Sequence, residues 1–195
     1  MAPRTATPAA DLATTVVLAA FIAVLGLFPG VYVGGGAVPI VLQNMGPFLA
    51  GVLVGARRAV FAVLLLLGLV LIGLPLLSGG RGGLAPFVGP SGGFLIGWVF
   101  SALVSGLIAQ AAARRGRPGL PMLLLAALAG LLVDYAIGIP WWAVVAGSWK
   151  TAVVGSLVFV PGDLAKVVVA ALVAVMVHRA LPGRLVGARR ERASA

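Results

Sequence analysis

Cysteine is absent from this 195-residue chain, histidine occurs once, and acidic side chains number four. Without thiols there are no disulfides and no thiolate metal sites, and the redox compartment is left undecided. Asp11 and Glu191 read as tail residues, which leaves Asp134 and Asp163 as the only groups placed for acid–base work. His178, near the end of the last apolar run, reads as a helix-end residue favoured by the dipole. Serines such as Ser91 have no histidine in plausible reach, and neither a Walker-type phosphate loop nor an HExxH pair is present. No enzyme is expected, and no metal or cofactor. If the chain moves a solute against a gradient, a partner or coupled ions supply the energy.

What is abundant is apolar surface. Hydrophobic residues make up 62% of the chain and charged residues 9%, and the mean hydropathy is +1.18. A soluble domain of this length has too high a surface-to-volume ratio to hide that much hydrocarbon. The chain therefore reads as an all-α integral membrane protein, one membrane-embedded unit over residues 1–195. Six apolar segments of spanning length are laid out at roughly 12–28, 37–56, 58–77, 91–113, 120–139 and 163–181. The second carries Pro39 and Pro47, tolerated where neighbours satisfy the freed backbone groups. The first has no small-residue cleavage site after it and reads as retained. Residues 140–162, with Trp141, Trp142 and Trp149, read as an extension of the fifth helix plus a re-entrant or interfacial loop.

The net charge of +10 suggests nucleic acid only until its positions are examined. Eleven of the fourteen basic residues (Arg4, Arg57, Arg58, Arg114, Arg115, Arg117, Arg179, Arg184, Arg189, Arg190 and Arg192) fall in the termini and alternate connections. This is a positive-inside pattern that places both termini in the cytoplasm and accounts for the charge without nucleic acid. The external connections are glycine-rich instead, with Gly34-Gly35-Gly36 and Ser78-Gly79-Gly80-Arg81-Gly82-Gly83. Glycine gives loops the freedom to fold back over a cavity.

The remaining charges, Arg81, Asp134, Lys150, Asp163 and Lys166, all lie toward that external face. Asp163 and Lys166, in the first turn of the last apolar helix, share a face and can meet. Ionisable groups at membrane depth usually face a protein interior or a wet cavity. The pair reads either as a ligand contact or as an ion pair pinning the helix start. Asp134 bonds a ligand or a neighbouring side chain such as Tyr135, and Arg81 binds a solute or snorkels to headgroups. Small residues recur at four-residue spacing in three helices: Gly93, Gly97, Ser101, Ser105, Ala109 and Ala113; Ala126, Gly130, Asp134 and Gly138; Thr15, Ala19 and Ala23. Such ridges permit close helix approach, within the chain or, for the first helix, toward a partner.

Four motifs in order carry a resemblance. They are Val38-Pro39-Ile40-Val41-Leu42-Gln43 with Leu49-Ala50-Gly51; Gly73-Leu74-Pro75 with the loop around Arg81; Gly89-Pro90-Ser91-Gly92-Gly93-Phe94-Leu95-Ile96-Gly97; and Pro161-Gly162-Asp163-Leu164-Ala165-Lys166. Together they resemble the BioY family, the biotin-specific substrate-binding components of energy-coupling factor (ECF) transporters. Ser91 stands where threonine is usual, which keeps the hydroxyl. The resemblance implies a six-helix protein of the bacterial cell membrane that captures biotin from outside. It also implies a transmembrane coupling subunit and two ABC ATPases as partners. By it, Asp163 and Lys166 contact biotin, and Ala19 and Ala23 face the coupling subunit. Arg81 would then neutralise the carboxylate, in a role exchangeable with that of Lys166. Gly92 and Gly93 would let the backbone approach the ligand, and Asp134 completes the set. An ion-coupled carrier of another small solute, with Asp134 or Asp163 as its protonatable site, is the competing reading.

Overall fold

The computed structural model describes residues 8–32, 37–116 and 118–181. Arg4, Gly34-Gly35-Gly36, Arg117 and the basic run from Arg184 to Arg192 lie outside the described residues. Among those residues the structure is helical: α1 (Pro8–Leu25), α2 (Met45–Val54), α3 (Ala56–Leu71), the single turn α4 (Ala85–Val88), α5 (Gly92–Arg114), α6 (Leu120–Ala146), α7 (Trp149–Leu157) and α8 (Val160–Ala180). The only extended pairings among them are isolated bridges, Val31 with Ile40 and Leu77 with Arg81. Four helices, α1, α5, α6 and α8, are long and apolar enough to cross a membrane.

Small-residue seams set how closely these helices approach. Every member of the α5 ridge from Gly93 to Ala113 is buried, as are Ala126, Gly130, Asp134 and Gly138 of α6. On the shared seam a Cβ at Gly97 would collide with Asp134, and one at Gly138 with the ring of Phe94. A Cβ at Gly130 would crowd Phe48 and Ser101 to about 3.0 Å. The ridges therefore act inside the chain, where lipid provides no hydrophobic drive for association and van der Waals fit must suffice.

Two expected spans are redrawn. The second is helical only over the ten residues of α2, eight of them buried. Residues 37–44 are not helical because Pro39 disfavours a helical conformation before it and Ile40 exchanges backbone hydrogen bonds with Val31 at 2.9 Å in each direction. At sixteen residues, α3 is also shorter than a full span. Gly55, at φ +85°, turns α2 directly into α3. The expected extension of the fifth helix is present, since α6 continues through Pro140 to Ala146. Gly147 at φ +63° then ends it, and Ser148 caps α7 by accepting from Thr151 N–H at 3.2 Å. The tryptophan-rich region is thus a helical hairpin, in which Gly155 of α7 lies against the ring of Trp142. Asp11 is likewise no tail residue, since it sits in α1 and pairs with Arg58 of α3.

Gln43 fastens three segments at one end of the bundle. Its side chain is 1% exposed. Its amide donates to Ile22 O (3.1 Å) and Leu76 O (2.9 Å), and its oxygen accepts from Ser78 N–H (3.1 Å). The end of α1, the loop after α3 and the segment leading into α2 are thereby held together around the candidate site.

Candidate ligand-binding site

The site is built at that same end, where α5 and α8 begin, α6 passes its last turns, and the non-helical segment before α2 lies across them. Pro161 occupies the first turn of α8, a position where its missing N–H costs nothing, and so starts the helix just before Asp163. Asp163 is 1% exposed. Its Oδ1 accepts from Lys166 Nζ at 2.7 Å and from Asn44 Nδ2 at 3.1 Å, and its Oδ2 accepts from Tyr135 O–H at 2.7 Å. An ionised carboxylate has about four acceptor positions, so one on Oδ2 remains for a ligand.

Lys166 is saturated. Besides Asp163 it donates to Val41 O at 2.6 Å and Asn44 Oδ1 at 2.9 Å, which uses all three ammonium donors. Asn44 therefore reads both charges at once, its oxygen facing the cation and its amide facing the carboxylate. All three Lys166 donors are thus engaged within the protein, one of them on Asp163.

Asp163, Asp134, Arg81 and Ser91 line one cavity with Asn44 and Tyr135. Its apolar walls are Phe94, Trp98 and Phe159 with the non-helical run Val38–Val41. Phe94 meets Tyr135 and Phe159 edge-on, each at 6.3 Å, and Phe159 stacks on Trp142 at 6.2 Å. Asp134 is 3% exposed, and its Oδ1 has no hydrogen-bond partner among the described residues. The cavity volume is about 50 Å³, room for one or two waters rather than for a drug-sized ligand.

Arg81 is presented by the glycine loop. Leu77 and Arg81 exchange backbone hydrogen bonds at 3.0 and 3.2 Å. The chain reverses between them through Gly79 and Gly80, at φ +78° and +70°, where a Cβ would be strained. The guanidinium donates to Ser78 O at 3.1 Å and lies 3.4 Å from Ser91 Oγ.

The other expected site residues lie elsewhere. Gly92 and Gly93 are off the cavity wall, where a Cβ would strike Phe87 O and Trp141 respectively, so their smallness serves contact with α4 and α6. Trp141 is half exposed and donates to Gly89 O at 3.0 Å, and Lys150 is exposed on α7. Ala19 is buried and Ala23 half-buried in the cluster formed with Ala59, Val63 and Leu66 of α3, which closes that part of the α1 ridge from outside. Sequence reasoning passed over Asn44, Phe94 and Phe159. Asn44 left a signal, being the chain's one asparagine and lying at the end of an apolar run.

A buried carboxylate held by a lysine, an asparagine and a tyrosine, beside aromatic rings at one end of an apolar helical bundle, has the chemistry of a membrane protein that holds a small polar–apolar solute. Comparison with known proteins makes this particular. A sequence model of the BioY family matches residues 1–183, and the chain belongs to that family. It is 49% identical over 182 residues to the biotin transporter BioY of Rhizobium etli, covering 89% of this chain and 97% of that one. Identity to the biotin transporter BioY of Rhodobacter capsulatus is 45% over 179 residues, with 86% and 92% covered. A 2.1 Å crystal structure of the S-component for biotin from an ECF-type ABC transporter superposes with a TM-score of 0.84 at 33% identity, covering 91% of this chain and 95% of that one.

Proposed function

We propose that this chain is the biotin-capture subunit of an ECF-type transporter. The observation that carries the reading is the Asp163 carboxylate, fixed by Lys166, Asn44 and Tyr135 and open on Oδ2 toward an aromatic cavity. Biotin has a ureido group with two N–H donors and one acceptor, an apolar bicycle and a carboxylate tail. The open position on Asp163 Oδ2 accepts from a ureido N–H group, and Phe94, Trp98 and Phe159 cover the bicycle. Arg81, on its glycine loop, neutralises the carboxylate. Asp134 offers a second polar contact from the α6 wall. Because the cavity is small, admission of biotin requires its walls to move apart.

On this reading the chain crosses the bacterial cell membrane six times with both termini in the cytoplasm. The second crossing combines residues 37–44 with α2, because non-helical backbone at membrane depth is tolerated when it is buried in protein. A transmembrane coupling subunit and ABC ATPases supply energy, and this subunit catalyses no reaction. The α1 face available to the coupling subunit is the exposed one carrying Val16, Phe21 and Val24, with Ala23 at its border.

The test is equilibrium binding of labelled biotin to the purified, detergent-solubilised chain beside Asp163→Asn and Lys166→Ala. Tight saturable binding that weakens more than tenfold in both variants supports the proposal. No binding by folded wild type overturns it and leaves an ion-coupled carrier using Asp134 or Asp163 as the stronger reading.

A further inference from the structure

The far end of the bundle carries a second concavity that the capture reading does not use. α2 starts at the candidate site with Asn44 and ends away from it, so α3, which follows through Gly55, begins at the opposite end. α1 begins there too, since Asp11 in its first turns pairs with Arg58. Between these two helix starts lies a groove of about 490 Å³, within the range of small-molecule sites. Phe61, Leu64 and Leu65, at helical spacings of three and four, form its α3 wall, and Leu12 faces them from α1. All four are substantially exposed.

The rim is basic. Arg57 and Arg58, one turn before Phe61, both line the groove, against the single carboxylate of Asp11. Asp11 is partly engaged by Arg58. The Arg58 Nε is buried with no acceptor among the described residues, and the exposed Arg57 side chain has no hydrogen bond or ion pair among them. A groove with hydrocarbon walls, two guanidiniums and one carboxylate matches a molecule with an apolar chain and an anionic head offering several acceptors. Arginine binds phosphate oxygens in a planar, multidentate way, and basic recesses between transmembrane helices hold anionic lipid headgroups. We propose that the α1–α3 groove binds an anionic phospholipid, its phosphodiester on Arg57 and Arg58 and one acyl chain along Phe61, Leu64 and Leu65.

The full chain in detergent, titrated with phosphatidylglycerol or with phosphatidylcholine of the same acyl chains, is read by native mass spectrometry. Wild type should retain phosphatidylglycerol several-fold better, and Arg57→Gln should lose about fivefold of that retention, the worth of one basic residue at an anionic surface. Arg57→Gln should keep wild-type biotin binding, which shows that it is folded and separates this outcome from failure of the capture reading. Because the chain has no cysteine, Leu64→Cys provides a second readout, with maleimide labelling slowed by phosphatidylglycerol and not by phosphatidylcholine. Equal retention of both lipids, or an undiminished preference in Arg57→Gln, overturns the proposal. So does displacement by soluble glycerophosphate alone, which would leave the apolar walls without a role. Shielding of Cys labelling by the coupling subunit but not by phosphatidylglycerol would assign the groove to that protein instead.

Discussion

Replacing Lys166 by methionine keeps most of the side chain's length while removing its charge and its three donors. In the native arrangement those donors reach Asp163 Oδ1, Asn44 Oδ1 and Val41 O at 2.7, 2.9 and 2.6 Å. The variant leaves a carboxylate that is 1% exposed with only Asn44 and Tyr135, and it removes a donor from two further oxygens. Breaking a buried ion pair from one side costs about 3–5 kcal/mol. The Lys166 side chain retains 12% exposure, which places the expected loss near the lower bound, about 3 kcal/mol. Without the lysine the carboxylate is no longer fixed toward the cavity, and losing one charge-assisted hydrogen bond to the ligand, worth about 1.5–3 kcal/mol, should lower biotin affinity about tenfold or more. Chemical denaturation in micelles reads the first effect and calorimetric titration with biotin the second. Adding Asp163→Asn to Lys166→Met removes the stranded charge, so the double variant should recover much of the stability while affinity stays lost. Wild-type stability in Lys166→Met, or strictly additive losses in the double variant, would refute the argument.

Three other outcomes are expected. Arg81→Ala should weaken binding of biotin more than binding of its neutral carboxamide, by about tenfold in the ratio of affinities, if the guanidinium meets the tail carboxylate; equal losses for both ligands would reassign Arg81. Gly97→Ala should lower stability by about 1–3 kcal/mol, since its methyl must displace Asp134 across the α5–α6 seam; unchanged unfolding would mean that the seam yields. Gln43→Leu leaves Ile22 O, Leu76 O and Ser78 N–H without a partner and should cost about 2–3 kcal/mol, judged by the unfolding midpoint. A null result there would show water substituting for the amide.

How much was legible in the sequence depended on how far each interaction reaches along it. The α5 and α6 ridges were readable because small residues repeat at a helical interval and interlock with one another. Asp163 and Lys166 were readable because three positions on a helix bring side chains together. The Asn44 contacts join residues more than a hundred positions apart, and no local pattern announces them. The same is true of the Asp11–Arg58 pair, 47 positions apart, which turned a supposed tail residue into part of α1. Composition misled once. The apolar stretch at 37–44 has the hydropathy of a membrane helix, yet Pro39 and the pairing of Ile40 with Val31 keep it from becoming one, and Val38–Val41 instead form a cavity wall. Pro140 does not interrupt α6, which runs on as the expected extension with α5 close alongside, Gly93 lying against Trp141. Gly92 and Gly93 were identified as sites of close approach, and it is protein rather than ligand that approaches them.

The small volume of the cavity governs timing as well as fit. At about 50 Å³ it is much smaller than biotin, so on the proposed reading its walls must move before the ligand seats, and collision and capture become separate events. The association rate should then level off at high biotin concentration, with the rate of wall opening as its ceiling, and stay below that of a rigid open site. Escape must wait for the same opening, which lengthens the residence time without any further contact to the ligand. On the proposed reading, a subunit that holds its cargo for an energised partner is served better by slow release than by fast loading, and the stiffness of the walls would set that release rate.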